Sequence, residues 1–406
     1  MRFLREIPPT AGLPISARDL FSIFTKTNRP AATLEEDLNI LFGVSNVRIT
    51  YSGTAAFYII LQALKDISSR KTVIIPSFIC PLVPLAIKRA GLEVEVCDIN
   101  DHDFNFETSS LEKICAENKN ILAVLPVHLA GIPADIKTVK KITQNKDIFI
   151  IEDCAQSLGA MYDGEITGTL GDFSFFSLCR GKGLTIYEGG AIINKQEFDP
   201  LIDKTAARVA KNDVFSEGLK LVELFGYSVF YRPLLFWLAF GLPGLFWETM
   251  RQPERAAIEY FTMDFPLHKV SKIRKQVGHT LFPRLRQEIT RQRQKALRYI
   301  EGFKGMAGIE LITESAGDSS NYPYLTLVFD DPLKREQALE IFKNSGLGIS
   351  RIYLSAITDY AYLKTILPKT ECPNARRLAE KHITLSTSQF LKDEEQDFII
   401  ERIKGI

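Results

Sequence analysis

The chain has 406 residues, too many for one ordinary hydrophobic core and enough for about two domains. Its formal net charge is +1, which argues against the basic surface that nucleic-acid binding requires. The start, MRFLREIPPTAG, lacks the apolar core of a signal peptide, and the six cysteines lack the spacing of a zinc site or disulfide framework. We therefore expect a cytoplasmic protein with reduced thiols, no bound metal and no nucleic-acid partner.

Between about residues 50 and 200, short runs rich in valine and isoleucine alternate with segments of helical periodicity. The runs are TVIIPSF, LEVEVCDI, ILAVLPVH, DIFIIEDC and GGAIIN, and AAFYIILQALK is an example of the helical segments. This alternation predicts an α/β fold with a mostly parallel sheet that is covered by helices on both faces. Ligands of such sheets bind beyond the carboxyl ends of the strands. The polar residues expected there are Ser77, His128 and Asp153.

Residues 219–248 form an apolar insertion that contains both tryptophans of the chain. Arg232 is the only charged residue from Leu224 to Trp247. The insertion is long enough to cross a bilayer, but Pro233, Gly241, Pro243 and Gly244 would break a spanning helix, and the arginine would be costly at the midplane. Two alternatives stay open: a shallow helical hairpin in a membrane interface, or a helix pair buried against the domain or a partner subunit.

The C-terminal part predicts a second, smaller α/β unit. Residues 266–305 have the pattern of one long basic helix that is broken or bent near Pro283. A strand (YLTLVFDD), a helix closed by Gly346 (REQALEIFKNSG) and a terminal helix (DEEQDFIIERIK) follow. We place the boundary near residues 255–265. This gives a large domain of residues 1–258, which includes the insertion, and a small domain of residues 259–406.

The segment FFSLCRGKGLTIYEGGAIIN, residues 175–194, holds one lysine, Lys182, between two glycines in a predicted turn. Most turn lysines are only solvated. A lysine amine attacks a carbonyl when it is neutral, and desolvation or a nearby cation lowers its pKa. Arg180 is that cation, a phosphate ligand, or merely an exposed residue. The neighbouring glycines leave room for a flat ring to approach.

Three other segments supply the remaining parts of a pyridoxal phosphate site. The turn YSGTAAF opens a helix whose free N–H groups, with the hydroxyls of Ser52 and Thr54, suit an anion. Asp153 ends a buried strand and either caps a helix or pairs with a cation such as a protonated pyridine nitrogen. The other polar candidates are Gln156 for the same ligand and Ser177 for the phosphate.

These motifs, in this order, resemble those of the DegT/DnrJ/EryC1/StrS family, the sugar aminotransferases of the fold-type I pyridoxal phosphate enzymes. The resemblance covers nearly the whole chain, in SGTAAF, VHLAGIPADI, IEDCAQSLGAMYDGEITGTLGD, GLTIYEGGAI and CPNARRLAEKHITLSTSQFLKDEE. It implies a homodimer with the site at the interface. It also implies transfer of an amino group, commonly from glutamate, to a keto-sugar nucleotide that feeds surface polysaccharides or glycans.

The resemblance also implies roles for individual residues. Lys182 would form the Schiff base with the cofactor and carry the proton, Asp153 would pair with the pyridine nitrogen, and Gln156 would contact the ring hydroxyl side. The phosphate would be bound by Gly53, Thr54 and Ser177.

Three positions stay open. Cys80 occupies the place of the family's stacking aromatic, so that Phe78 or another residue must cover the ring, or stacking is weaker. Leu267 occupies the place of an asparagine that reaches the neighbouring subunit's phosphate, with His268 or Lys269 as replacements. His128 either contacts the substrate in the active site or closes a strand end as a satisfied histidine.

Two other hypotheses use the same fold. One is a pyridoxal phosphate-dependent deoxysugar dehydratase, but the dehydrating relatives carry histidine where this chain has Lys182. The other is a non-catalytic relative that docks on a membrane through residues 219–248, which Cys80 and Leu267 would favour. The intact set of Lys182, Asp153 and Gln156 favours the aminotransferase. If the insertion docks, we expect the protein at the inner face of the membrane.

Overall fold

The computed structural model describes residues 5–25, 33–252 and 259–406. Its strands are β1 (Arg48–Thr50), β2 (Thr72–Pro76), β3 (Glu93–Cys97), β4 (Ile121–Val124), β5 (Phe149–Asp153), β6 (Met161–Tyr162), β7 (Glu165–Ile166), β8 (Phe173–Ser177), β9 (Gly190–Asn194), β10 (Ile309–Ile312), β11 (Tyr324–Phe329) and β12 (His382–Ser386). Seven of them form one sheet in the order β1-β9-β8-β5-β4-β2-β3. The pairs from β8 to β3 are parallel, and β9 runs antiparallel to both of its neighbours. The predicted mostly parallel sheet is confirmed.

The helices are α1 (Ala17–Thr25), α2 (Leu34–Phe42), α3 (Gly53–Ile67), α4 (Leu82–Arg89), α5 (Thr108–Glu117), α6 (Ile136–Thr143), α7 (Asp199–Val209), α8 (Val214–Phe230), α9 (Pro233–Phe236), α10 (Leu242–Thr249), α11 (Lys272–Leu281), α12 (Leu285–Gly302), α13 (Pro332–Phe342), α14 (Pro373–Lys381) and α15 (Asp393–Lys404). Helices cover both faces of the sheet. Successive residues of β2 accordingly pack into two different apolar clusters, one on each face. Val73 and Ile75 pack with residues of α3 and α4, whereas Ile74 packs with residues of α5 and α6.

A second sheet of three antiparallel strands, β10-β11-β12, lies in the C-terminal part. The predicted long helix begins at Lys272 and not at residue 266, because the preceding residues are extended and bridge to Lys211. It is interrupted by a single turn, Phe282–Arg284, around the proline. The predicted boundary falls partly on residues 255–258, which lie outside the described residues, and the two-domain division stays a prediction.

The apolar insertion folds as α8, α9, a π-helical turn (Trp237–Gly241) and α10. No helix in the described ranges combines the length and the apolarity needed to span a bilayer.

Candidate active site

Lys182 lies in the turn between β8 and β9 and is half-buried. Gly181 has a φ of +74°, in the left-handed region that favours glycine, so this residue lets the chain make the turn. The carbonyl oxygen of Lys182 accepts the N–H of Leu13 at 3.2 Å, which ties the turn to the N-terminal segment. Burial lowers the pKa of Lys182, whereas Cys179, Cys80 and Asp153 oppose this effect. Burial therefore shifts Lys182 toward the neutral amine that attack on a carbonyl requires.

Asp153 is the last residue of β5 and is 5% exposed. One of its carboxylate oxygens accepts the N–H of Ala155 at 3.0 Å. Burial raises the pKa of Asp153 to about 6, while the Ala155 N–H and the charges of Lys182 and His128 act in the opposite direction. The group is thus mostly ionised at pH 7, and its second oxygen is available to a cationic donor.

The N-terminus of α3 lies beside the end of β8. The hydroxyl of Ser52 accepts the N–H of Ala55 at 3.1 Å, so Ser52 serves as the helix cap. The N–H groups of Gly53 and Thr54 have no acceptor within the helix and point outward. A Cβ on Gly53 would lie 3.3 Å from the Cβ of Ser177, which places that serine hydroxyl beside the free N–H groups. The arrangement suits an anion such as a phosphate.

The turn before α3 requires a glycine at position 190, the first residue of β9. The sequence analysis did not single out this residue. A Cβ at this position would lie 2.4 Å from the carbonyl carbon and oxygen of Ser52 and 2.6 Å from the nitrogen of Gly53. All of these are backbone atoms that cannot rotate away. The residue is part of the EGGA motif, which was the available clue.

We expect Gly190→Ala to lower the free energy of unfolding by about 1–3 kcal/mol and to weaken binding of pyridoxal phosphate, because the added methyl group displaces the anion-binding turn. Thermal unfolding and a cofactor titration measure the two effects. Gly218→Ala is the matched control, since nothing lies within 4 Å of its added Cβ. Equal stability and affinity of Gly190→Ala and the wild type would contradict the role of this close approach.

Gln156 lines a cavity together with Lys182 and Ser177. Its Oε1 accepts the N–H of Ala130 at 3.0 Å and the hydroxyl of Tyr324. These two donors fix the orientation of the amide, and Nε2 remains as its donor for a ligand in the cavity. Tyr324 and Thr10 also line the cavity, and the sequence analysis missed both.

Phe78 does not cover the site. It is 1% exposed and packs edge-on against Tyr353 and His382, and parallel to Phe104. The prediction that it binds the cofactor is wrong, because its ring points into the core next to the strand end. Cys80 does lie at the site, since Lys182 and Asp153 both influence the pKa of its thiol, which burial raises to about 12.

Tyr353 is a further residue that the sequence analysis missed. Burial raises the pKa of its phenol, and the charges of Cys80, Tyr324 and Asp153 add to this effect. The residue therefore approaches the site from a loop in the C-terminal part of the chain. Nothing in the surrounding sequence, SRIYLS, indicated this position.

His128 is fully buried at the start of a short helical turn. Its Nε2 bonds with Glu152 at 2.9 Å, and its Nδ1 accepts the N–H of Ala134 at 2.9 Å. Glu152 also accepts three backbone N–H groups, those of Gly168, Leu170 and Gly171. Both ring nitrogens are therefore in use. The geometry favours a histidine whose hydrogen bonds are all made within the fold. The other alternative, that His128 contacts the substrate, is contradicted.

The ligand atoms of His128, Glu152 and Cys154 lie within 4.8 Å of one another. Hydrogen bonds already occupy the histidine nitrogens and both carboxylate oxygens, so this group forms an internal network. The expectation that the chain binds no metal stays a prediction. Ser77 is likewise internal, because its hydroxyl donates to Asp98 at 2.6 Å.

Arg180 is exposed, and its guanidinium lies 5.5 Å from the ring centre of Tyr187. It is not among the groups that shift the pKa of Lys182. Of the three alternatives, the role as activating cation is contradicted, the exposed residue agrees with the structure, and the role as a phosphate ligand stays a prediction.

Leu267 packs against the main core. His268 lies edge-on to Tyr51, the residue before Ser52, with 5.3 Å between the ring centres. That places His268, one of the two predicted replacements, close to the anion-binding turn.

The residues present fit pyridoxal phosphate. A half-buried lysine with a lowered pKa and a buried carboxylate share one site, and a helix N-terminus with a serine hydroxyl lies beside them. These are the groups that a carbonyl, a basic ring nitrogen and a phosphate require.

Comparisons with known proteins identify the family and the fold. The model of the DegT/DnrJ/EryC1/StrS aminotransferase family matches residues 22–214 and 266–404. GDP-perosamine synthase of Escherichia coli O157:H7 is 33% identical over 147 residues, which are 36% of this chain and 39% of that protein.

Two solved structures have the same fold. Helicobacter pylori PseC, an aminotransferase involved in the biosynthesis of pseudoaminic acid, gives a TM-score of 0.74 at 16% identity over 98% of both chains. The E. coli GDP-4-keto-6-deoxy-D-mannose-3-dehydratase with bound hydrated PLP gives 0.75 at 18% identity, over 98% of this chain and 100% of that one. The predicted fold-type I architecture is confirmed.

Proposed function

Because the chain belongs to the DegT/DnrJ/EryC1/StrS aminotransferase family, we propose that it transfers an amino group from glutamate to the keto carbon of a nucleotide-linked sugar. Its cofactor is pyridoxal phosphate. The observation that carries the proposal is that the half-buried Lys182 and the buried Asp153, at the end of a parallel strand, each influence the pKa of the other. The products would enter polysaccharide or glycan biosynthesis.

When bound, pyridoxal phosphate supplies an aldehyde carbon and an electron-withdrawing pyridine ring. Lys182 would hold the cofactor through Nζ before the donor amino acid binds. Once the donor amine has replaced it, the freed Nζ, whose pKa burial lowers, would take the proton from the α-carbon of the donor and give one to the sugar carbon that receives the nitrogen. Asp153 would accept a hydrogen bond from the ring nitrogen and keep it protonated.

Other residues orient the cofactor. The N–H groups of Gly53 and Thr54 and the hydroxyl of Ser177 would bind the phosphate, while Gln156 would donate from Nε2 to the ring hydroxyl side. Thr10 and Tyr324 line the same cavity.

The dehydratase is the second candidate, since one solved structure of the same fold is named as a dehydratase. The lysine at position 182 favours amino transfer, because the dehydrating relatives are expected to carry histidine there. The remaining expectations are also proposals: a cytoplasmic homodimer that touches the inner face of a membrane. The six cysteines are all free, which agrees with a reducing compartment.

We expect purified full-length protein, loaded with pyridoxal phosphate, to convert at least one nucleotide-linked keto-sugar to its amino-sugar when glutamate is supplied. Mass spectrometry of a panel of UDP-, GDP- and dTDP-linked keto-sugars measures the products. The amino-sugar and 2-oxoglutarate should form in equal amounts. Reactions with glutamine or aspartate in place of glutamate test the donor.

Two results would contradict the proposal. A product that has lost water and gained no nitrogen would indicate the dehydratase. A protein that neither develops the visible absorbance of lysine-bound cofactor nor turns over any member of the panel would indicate a non-catalytic relative.

A further inference from the structure

The insertion exposes an unusual amount of apolar surface. Twelve of the twenty-three exposed large apolar residues in the described ranges lie within residues 214–250. We call the water-facing sides of α8 and of α9 to α10, residues 214–230 and 233–250, the apolar arms. Side chains three or four residues apart form a stripe along each arm. They include Phe215, Leu219 and Val222 on the first arm and Leu234, Leu242 and Phe246 on the second.

Three charged residues of α8 and the turn that follows it are bonded within the protein. Glu217 forms an ion pair with the buried Arg274, and Lys220 bonds to Glu188 at 2.8 Å. Arg232 donates to the carbonyl oxygen of Ile15 at 2.9 Å. Every exposed described residue of α8 is apolar or glycine. The first arm is therefore an amphipathic helix whose apolar side faces out of the molecule.

We propose that the apolar arms dock on a lipid bilayer and lie in its interface. A protein interface carries about one hydrogen bond per 100–200 Å² and a polar rim, whereas none of the exposed side chains of α8 is polar, and its partly buried Lys220 and Glu223 are paired with each other. Acyl chains require none. The family model does not match residues 215–265. The apolar arms therefore lie almost entirely outside the regions that this chain shares with the family. The described helices do not span a bilayer, which leaves interfacial insertion.

The docking surface is bonded to the turn that carries the lysine. Tyr231, directly after α8, donates its hydroxyl to the carbonyl oxygen of Thr10 at 3.2 Å and accepts the N–H of Gly12 at 3.1 Å. The next residue, Leu13, donates its N–H to the carbonyl oxygen of Lys182 at 3.2 Å. Docking therefore holds the candidate active site next to the lipid. The docking itself does not depend on the proposed function. Only the conclusion that amino transfer takes place at a membrane surface rests on it.

Flotation of the full-length protein with vesicles tests the docking. We expect the wild type to float with vesicles of phosphatidylcholine alone, and the bound fraction to survive high salt, because the contact is apolar. The double variant Val222→Lys, Leu234→Lys should bind roughly tenfold more weakly for each substitution, since each removes buried apolar area and adds a charge. Leu333→Lys is the matched control. Leu333 is 70% exposed, close to the 67% of Val222 and of Leu234, but lies on α13.

Thermal unfolding and assays with a water-soluble keto-sugar nucleotide, run on all three proteins, separate this proposal from the proposed function. Loss of flotation with unchanged unfolding and turnover supports docking. Three results overturn it: no flotation of the wild type; flotation only with phosphatidylglycerol that salt abolishes; or a dimer that the double variant splits while vesicle binding is absent. The last would assign the arms to a second copy of this chain.

Discussion

Lys182→Ala is expected to lower the rate of amino transfer by about 10⁴-fold, the upper end of what a positioned acid–base group contributes. The substitution removes the amine that holds the cofactor and the group that moves the proton. No described neighbour can replace it, because the thiols of Cys80 and Cys179 are short and the pKa of Cys80 is raised to about 12. The fold should survive, because burial disfavours the charged form of the amine and alanine has no charge to bury.

The attachment is measurable without turnover. Borohydride reduction followed by peptide mass analysis should place the cofactor on the peptide that contains Lys182 in the wild type and on no peptide of the alanine variant. Lys182→Arg keeps a cation of similar length and should fail equally, because a guanidinium stays protonated. Lys195→Ala, which removes an exposed lysine beyond β9, should leave both readouts unchanged. Cofactor attached at any other lysine would refute the assignment.

Local patterns predicted the elements whose own residues determine them. The helices α3 and α15 were predicted because their apolar residues repeat at helical spacing and their ends carry turn or acidic residues. The strands β1, β10 and β12 were missed. They have three to five residues, and their extended form depends on pairing with distant strands.

The same distinction separates the site residues that were predicted from those that were not. Lys182, Asp153 and the turn before α3 belong to short motifs in which strand, turn and chemical group are adjacent in sequence. Thr10, Tyr324 and Tyr353 reach the site from segments far along the chain. The role given to Phe78 was wrong because the sequence after a strand does not tell which side chain, that of Phe78 or that of Cys80, points into the core and which points toward the ligand.

Asp153→Asn is expected to lower the rate of amino transfer by about 10³-fold, a size typical of one electrostatic contact to a reacting group. The amide can still accept the N–H of Ala155, so the local fold is kept. It cannot hold a proton on the ring nitrogen, because it carries no charge. Kinetics at saturating cofactor measure the loss, and Asp153→Glu, which restores the charge on a longer side chain, should recover part of it.

The same variant should stabilise the cofactor-free protein. Burial raises the pKa of Asp153 from 3.8 to about 6, so the folded chain binds this proton more tightly than the unfolded chain. The stability that the neutral carboxyl contributes is complete below about pH 4 and is lost as the pH rises through about 6. At pH 7 the wild type thus bears a cost of up to about 3 kcal/mol that asparagine avoids. We expect the variant to unfold at a higher temperature than the wild type at pH 7, and at a similar temperature at pH 4.

Saturating pyridoxal phosphate should reverse that order at pH 7, because only the wild type gains an ion pair between Asp153 and the ring nitrogen. Thermal unfolding at both pH values, with and without cofactor, gives the difference in unfolding temperature between the variant and the wild type under each of the four conditions. A variant that is less stable than the wild type without cofactor would show that a protein group already compensates the carboxylate. The buried charge would then have a structural role, and its pairing with the cofactor would lose its support.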